Sequence, residues 1–309
     1  MAMRLEPRKL RRMVSSGIRR YPHQLLLSIL GRERGRGRGG SDGGSVVPPW
    51  WRWGNGGGPS LGAVWLGHAT TLVRLGGLWI LTDPVFSERI GPRVAGRTLG
   101  LSRLTPAPVP LSALPPIDIV LISHAHFDHL DRPTLARLAD PRTKVVTAWR
   151  TAGLIPPGFD QVIELGPGEV FAHEGVEIAA VPVEHWGARF ALDRKRGCNA
   201  YALTAGNERV VFAGDTAETG AFDDLPGADL AVFGIGAYDP WEHAHATPEQ
   251  VWAMVRRLGA THLMGVHHST FDLSEEPPDE PLRRLIKAAG DLHDRIVGRA
   301  PGEAWRKTG

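Results

Sequence analysis

From about residue 60 onward, short apolar runs separated by Gly, Pro, Asp and Asn predict strands at 63–66, 72–75, 78–81, 119–122, 144–147, 176–183, 199–203, 209–213, 229–233 and 262–266. The run Ile119, Val120, Leu121, Ile122 is continuously apolar, the pattern of a strand covered on both faces, whereas 176–183 partly alternates. Helical spacing appears in three places. Asp131 and Pro133 open a helix through Leu135 and Leu138. Thr247 with Gln250 forms a capping box, Pro248 takes the first turn, and Val251, Met254, Val255 and Leu258 make one face that stops at Gly259. Leu282, Leu285, Ile286 and Ala289 repeat that spacing before Gly290. These stripes are core faces, and together with the strands they establish an α/β or α+β chain with no evident internal repeat.

With 309 residues and 42% hydrophobic content, the chain can bury one large core or two small ones. The expected organisation is an N-terminal extension, 1–60, and one folded domain, 61–309. Charge separates the two: 1–60 holds 12 Lys+Arg against 3 Asp+Glu, and the remainder holds 24 against 30. Arg32, Arg34, Arg36 and Arg38 among glycines read as a flexible linker. Leu10, Met13, Val14 and Ile18 beside Arg11, Arg12, Arg19 and Arg20 fit a basic amphipathic helix. Such a tail suits an anionic membrane surface; nucleic acid is the weaker partner, because the positive charge is confined to the tail. A solvated tail without a partner is the plain alternative. Trp50, Trp51 and Trp53 are expected to dock the linker on the domain, with insertion at a lipid interface as the other reading.

The single Cys198 excludes an intrachain disulfide and a cysteine metal cluster, and its place before Asn199-Ala200-Tyr201 suggests a buried strand thiol. Apolar stretches such as 25–30 are too short to span a membrane, and no signal-peptide core stands out. The expectation is a cytoplasmic protein with peripheral membrane contact through the basic N-terminus.

The chemistry concentrates in His124-Ala125-His126-Phe127-Asp128-His129. With 13 histidines in the chain, chance places this H-x-H-x-D-H spacing in about one such sequence in a thousand. The cluster follows the 119–122 strand and precedes the helix at 131, so it occupies a loop between rigid elements. Imidazole and carboxylate donors without thiolate suit Zn, Mn or Fe, and four candidate donors in six residues are hard to direct at one ion. Three further strand ends carry donors: His185 after 176–183, Asp215 after 209–213 and His267 after 262–266. Each alone is ordinary turn chemistry; with the cluster upstream they point to a shared metal site.

These residues resemble the metallo-β-lactamase superfamily of metal-dependent hydrolases over roughly residues 60 to 290. Gly67-His68-Ala69-Thr70, Thr82-Asp83-Pro84, Glu184-His185-Trp186, Gly214-Asp215-Thr216, Ile235-Gly236-Ala237-Tyr238 and His267-His268-Ser269-Thr270-Phe271 resemble its N-acylphosphatidylethanolamine-hydrolysing phospholipase D branch. The resemblance implies a four-layer αββα sandwich. It implies two divalent ions, zinc first, with manganese or iron sharing the donor set. His124, His126 and His185 would hold one ion, Asp128, His129 and His267 the other, with Asp215 bridging. His267 rather than His268 falls in the motif position; the family's usual Trp-Gly after it is His268-Ser269 here. Along a continuing strand the two imidazoles would face opposite ways.

A hydroxide bridging two cations has a lowered pKa and attacks phosphorus or a carbonyl carbon. Asp128 would orient it, and His245 matches a substrate-side histidine that binds phosphate or protonates the leaving oxygen, so both are expected to be catalytic. His68 and Asp83 would orient ligands. Arg89, Arg93, Arg97 and Arg103, on the Pro-rich stretch after Asp83, could hold an anionic substrate. The leading expectation is a phosphodiesterase of phospholipase D-like type, acting on a small-molecule or lipid phosphodiester. A lactonase of the same superfamily is the alternative enzyme. An RNA-binding or nuclease-associated protein working through the Arg/Gly tail is the alternative from another class.

Overall fold

The computed structural model describes Trp53, residues 60–190, Asp193 and residues 195–308. The amphipathic segment, the Arg/Gly linker, Trp50 and Trp51 lie outside the described residues.

The first half contains β1 (Leu61–Gly67), β2 (Thr70–Leu75) and β3 (Leu78–Thr82), then β8 (Ile119–Ile122), β9 (Lys144–Ala148) and β10 (Gln161–Leu165). Between them, β4 (Arg89–Ile90) pairs with β7 (Leu101–Ser102), and β5 (Arg93–Val94) with β6 (Arg97–Thr98). The second half contains β11 (Val170–His173), β12 (Val176–Pro182), β13 (Asn199–Ala205), β14 (Glu208–Phe212), β15 (Ala228–Gly234), β16 (Ala260–Val266) and β17 (Ile296–Val297), and β18 (Ala304–Arg306) returns to the first sheet. The helices are α1 (Arg132–Leu138), α2 (Pro248–Leu258) and α3 (Glu280–Ala289).

Two seven-stranded sheets result, ordered β10-β9-β8-β3-β2-β1-β18 and β11-β12-β13-β14-β15-β16-β17. Both have the same ladder pattern. Antiparallel pairing runs from β18 to β3 and from β11 to β14, and parallel pairing runs onward to β10 and to β17. The two halves thus share an architecture that the side-chain sequence does not display.

Period-two alternation decides the layers. Trp65, Ile80 and Leu121 of the first sheet meet Tyr201, Phe212 and Val232 of the second in the central core. On the outer side of the first sheet, Leu81, Val120 and Val145 cover Leu130 and Leu135. On the outer side of the second, Phe233 and Leu263 cover Val251, Val255 and Leu285. The architecture is therefore the four-layer αββα sandwich, and β1 and β8 read as unbroken apolar runs because both their faces are covered. Burying each large aliphatic or aromatic side chain contributes about 1.5–3 kcal/mol.

Thr247 and Gln250 form the expected capping box on α2, and Gly259 ends it with φ 71°. Asp131 sits at the cap position of α1 but makes no capping bond; its carboxylate accepts from Thr134 Oγ1 and from the Ser87 amide, tying down the stretch after Asp83. Trp53 is buried and stacks on Trp79, ring centroids 6.1 Å apart, so this tryptophan docks on the domain. Cys198 lies one residue before β13 and is half-buried rather than within the strand; desolvation pushes its thiol well above the ordinary range. Among the described residues no helix is long and apolar enough to cross a membrane.

Candidate metal centre

β1, β3 and β8 run in one direction in the first sheet, and β12, β14, β15 and β16 run together in the second. Their C-terminal ends deliver His68, Asp83, His124, His185, Asp215 and His267 to one edge of the sandwich. Three of these leave their strands in the left-handed backbone region, with φ 51° at His68, 32° at Asp83 and 64° at His267. That conformation is uncommon for side chains with a Cβ, and surrounding packing must hold it. Two glycines permit the close approach. A Cβ on Gly214, itself at φ 58°, would lie 2.7 Å from Ser123 Cβ, and one on Gly236 would lie 2.4 Å from the His267 carbonyl oxygen.

The donors converge in two groups around Asp215. Asp128 Oδ2 lies 3.5 Å from His129 Nε2 and 3.4 Å from His267 Nε2, and the two imidazole nitrogens are 3.2 Å apart. Asp215 adds Oδ2 at 3.1 Å from His129 Nε2 and Oδ1 at 3.3 Å from His267 Nε2. In the other group, His126 Nδ1 is 2.8 Å from His124 Nε2 and 3.3 Å from His185 Nε2. Asp215 Oδ2 stands 3.8 Å from His124 Nε2 and 3.7 Å from His185 Nε2. Zinc bonds of about 2.0–2.1 Å place tetrahedral donors about 3.3–3.4 Å apart. The observed separations bracket that value, so the donor set fits divalent ions.

Electrostatics agree with the fit. Desolvation disfavours charge on His129, yet Asp215, Asp128 and Asp83 outweigh it and push its pKa well above the ordinary value. Burial opposes ionisation of Asp128 and Asp215, but the facing imidazoles, His129 foremost, hold both well below the usual carboxylate range. His124 and His185 are held well below the usual imidazole range, chiefly by desolvation, and burial also lowers His126. Asp215 Oδ1 is buried without a hydrogen-bond partner among the described residues. A buried carboxylate oxygen facing imidazole nitrogens in this way is a place for positive charge.

A surrounding layer fixes these rings. Asp83 Oδ2 accepts from His129 Nδ1 at 2.6 Å and from Ser123 Oγ at 2.6 Å, while Ser123 Oγ contacts His124 Nδ1 at 2.8 Å. His68 Nε2 lies 3.0 Å from Asp128 Oδ2, and desolvation, with His267 alongside, lowers the His68 pKa to about 3. Its neutral ring donates to the carboxylate. His185 Nδ1 donates to the Ala244 carbonyl at 3.0 Å.

All seven residues expected as metal donors meet here, and His68 and Asp83 make the orienting contacts expected of them. His245 joins them: its Nδ1 is 3.9 Å from Asp215 Oδ2, its ring stacks on His267, and burial lowers its pKa to about 4. The strand does not continue through this pair, since β16 ends at Val266 and His267 has φ 64°; His268 nonetheless diverges from its neighbour, packing on Trp65 with Nδ1 2.9 Å from Ser269 Oγ. Among the arginines after Asp83, Arg89 donates to Gly100, Arg93 to Gly96 and Arg103 Nη2 to Val85; the Arg103 guanidinium lies over Phe271, and its buried Nε and Nη1 have no hydrogen-bond partner among the described residues. Sequence reasoning missed Ser123, Arg189 and Glu276. Ser123 directly precedes the cluster, but a serine after a strand carries no distinctive signal. Glu276 accepts from the Ala237 and Asp239 amides and from Ser274 Oγ, holding the turn that presses on His267.

The beta-lactamase superfamily domain model matches residues 78–268. An uncharacterized protein of Mycobacterium tuberculosis is 34% identical over 269 residues, covering 81% of this chain and 69% of that protein. The N-acyl-phosphatidylethanolamine-hydrolyzing phospholipase D 1 of Caenorhabditis elegans is 32% identical over 270 residues, 79% of this chain and 75% of that enzyme. Among solved structures, the isothiocyanate hydrolase from Delia radicum gut bacteria shares the fold, with TM-score 0.63, 19% identity, and coverage of 80% of this chain and 99% of that one. With its matched domain, its relatives and its clustered His and Asp donors, the chain belongs to the metallo-β-lactamase superfamily of metal-dependent hydrolases and resembles the N-acylphosphatidylethanolamine-hydrolysing phospholipase D branch.

Proposed function

We propose that this protein is a phosphodiesterase of phospholipase D type that hydrolyses a lipid phosphodiester. The observation that carries the reading is Asp215, whose carboxylate faces both donor groups at 3.1–3.8 Å, with His245 beside it. The likeness to the nematode phospholipase supports the substrate class.

In this reading His124, His126 and His185 would hold one divalent ion and Asp128, His129 and His267 a second, with Asp215 available to both. Zinc fits best, with manganese and iron compatible. Such ions supply Lewis acidity toward a phosphoryl oxygen and acidify a water for attack. Asp128, anchored by the His68 Nε2–H bond, orients the attacking water. Hydrolysis forms a phosphorus–oxygen bond to that water and breaks the one to the alcohol, whose oxygen leaves with a proton. His245, neutral because it is desolvated, offers an N–H to the phosphoryl or departing oxygen. We further propose that 1–60 is an accessory extension whose basic charge brings the domain to an anionic membrane surface.

The test is a metal-loaded panel of an N-acylated phospholipid, a simple phosphodiester, a lactone and RNA. Release of phosphatidic acid from the phospholipid is the expected result. Turnover of the lactone alone would replace this reading with a lactonase, and RNA binding without turnover of any substrate would remove the enzyme reading.

A further inference from the structure

The loop that holds the histidine cluster is closed by a residue outside it. Arg189 Nη1 donates to the Ala125 carbonyl and to the Leu130 carbonyl, each at 2.9 Å, and its guanidinium lies over the Phe127 ring at 4.1 Å. Ala125 and Leu130 are fully buried and stand at the two ends of the stretch containing His126, Asp128 and His129. One side chain therefore grips that stretch at its start, its middle and its end. Buried carbonyls outside strand and helix ladders need a donor, and two N–H bonds on one nitrogen meet that need in a fixed geometry.

Arg189 also belongs to the segment that brings His185. That segment is anchored behind by the Glu184 amide on Thr216 Oγ1 and by the Ala217 amide on the Glu184 carbonyl. His129 and Asp128 have supports of their own in Asp83 and His68. The approach of His185 Nε2 to His126 Nδ1, at 3.3 Å, instead joins two chain segments, and Arg189 clasps those same segments.

We infer that Arg189 is a positioning residue that registers the His185 segment on the histidine loop and so secures the ion of the His124, His126 and His185 group more than that of the other group. The inference rests on the two-ion reading above. It assigns the residue to metal retention, with no contact to substrate.

The experiment loads wild type, Arg189→Met and Arg189→Lys with zinc, dialyses each against graded chelator, and counts zinc per chain. Metal-free forms are melted in parallel by circular dichroism. Arg189→Met is expected to lose its first zinc at chelator levels about tenfold lower or more, the second being retained near wild-type levels. Arg189→Lys, which keeps charge and a donor but not the planar stack, should fall between. Equal zinc retention in Arg189→Met and wild type overturns the inference even if the metal-free melting point drops, since that pattern marks a purely structural contact. If Arg189→Met does not fold, retention by Arg189→Lys equal to wild type overturns it. A wild type that binds no zinc, manganese or iron overturns the metal reading and this inference together.

Discussion

Asp83 Oδ2 stands 2.6 Å from His129 Nδ1, and both residues are completely buried. The same carboxylate reaches His124 through Ser123 Oγ, so one buried anion orients an imidazole in each donor group. Asp83→Asn should weaken zinc binding about 10–100-fold, and Ser123→Ala should weaken it less. Competition with a chromophoric chelator measures both. Equal affinities in all three proteins would remove Asp83 from any role in metal retention.

His245→Ala separates two roles for a histidine that touches the donor cluster without belonging to the expected ligand set. Turnover should fall about 10²–10⁴-fold with zinc content unchanged, as expected for a general acid or a hydrogen-bond donor to a phosphoryl oxygen. Loss of a zinc ion would make His245 a ligand instead.

Gly236→Ala tests close packing behind the site, because its Cβ would sit 2.4 Å from the His267 carbonyl oxygen. The turn or His267 must then move. A destabilisation of about 1–3 kcal/mol is expected, together with reduced zinc retention, from thermal melting and metal analysis. An unchanged melting point would show that this approach is looser than the geometry indicates.

Removing metal should lower stability as well as activity. A ligand at about 100 times its dissociation constant stabilises by about 2.7 kcal/mol, which for a domain this size is about 5–10 °C in melting temperature. Calorimetry with and without chelator measures the shift, and re-addition of zinc should restore both properties.

Removing residues 1–45 leaves Trp53 on Trp79 and should preserve turnover of a short-chain, dispersed substrate. Sedimentation with anionic vesicles should decline, and more so at low salt, where screening is weakest. Undiminished vesicle binding would place membrane contact on the domain.

Much of the fold was legible in the chain because its signals are local. Ile119 to Ile122, Thr247 with Gln250, and the stripe ending at Gly259 declare their states through nearest neighbours. Asp131 shows the limit. Its position marked a helix start, but its carboxylate bonds Ser87, a partner 44 residues away that local pattern does not reveal. Arg103 is similar: its charge suggested an anion site, and only the fold shows that one of its guanidinium nitrogens goes to the Val85 carbonyl and that the group lies over Phe271.

The sequence by itself determined which donor types the chain commits to one kind of chemistry, since H-x-H-x-D-H and the residues after later strands are fixed by covalent order. Only the tertiary structure decided how they meet. Asp215 faces both groups because β14 runs parallel to β15 in a sheet packed against β8, and the Arg189 clasp exists because two chain segments distant in sequence end at one edge. Spacing along a chain encodes neighbours within an element; contacts between elements arise from which faces exclude water together, and that is a property of the folded whole.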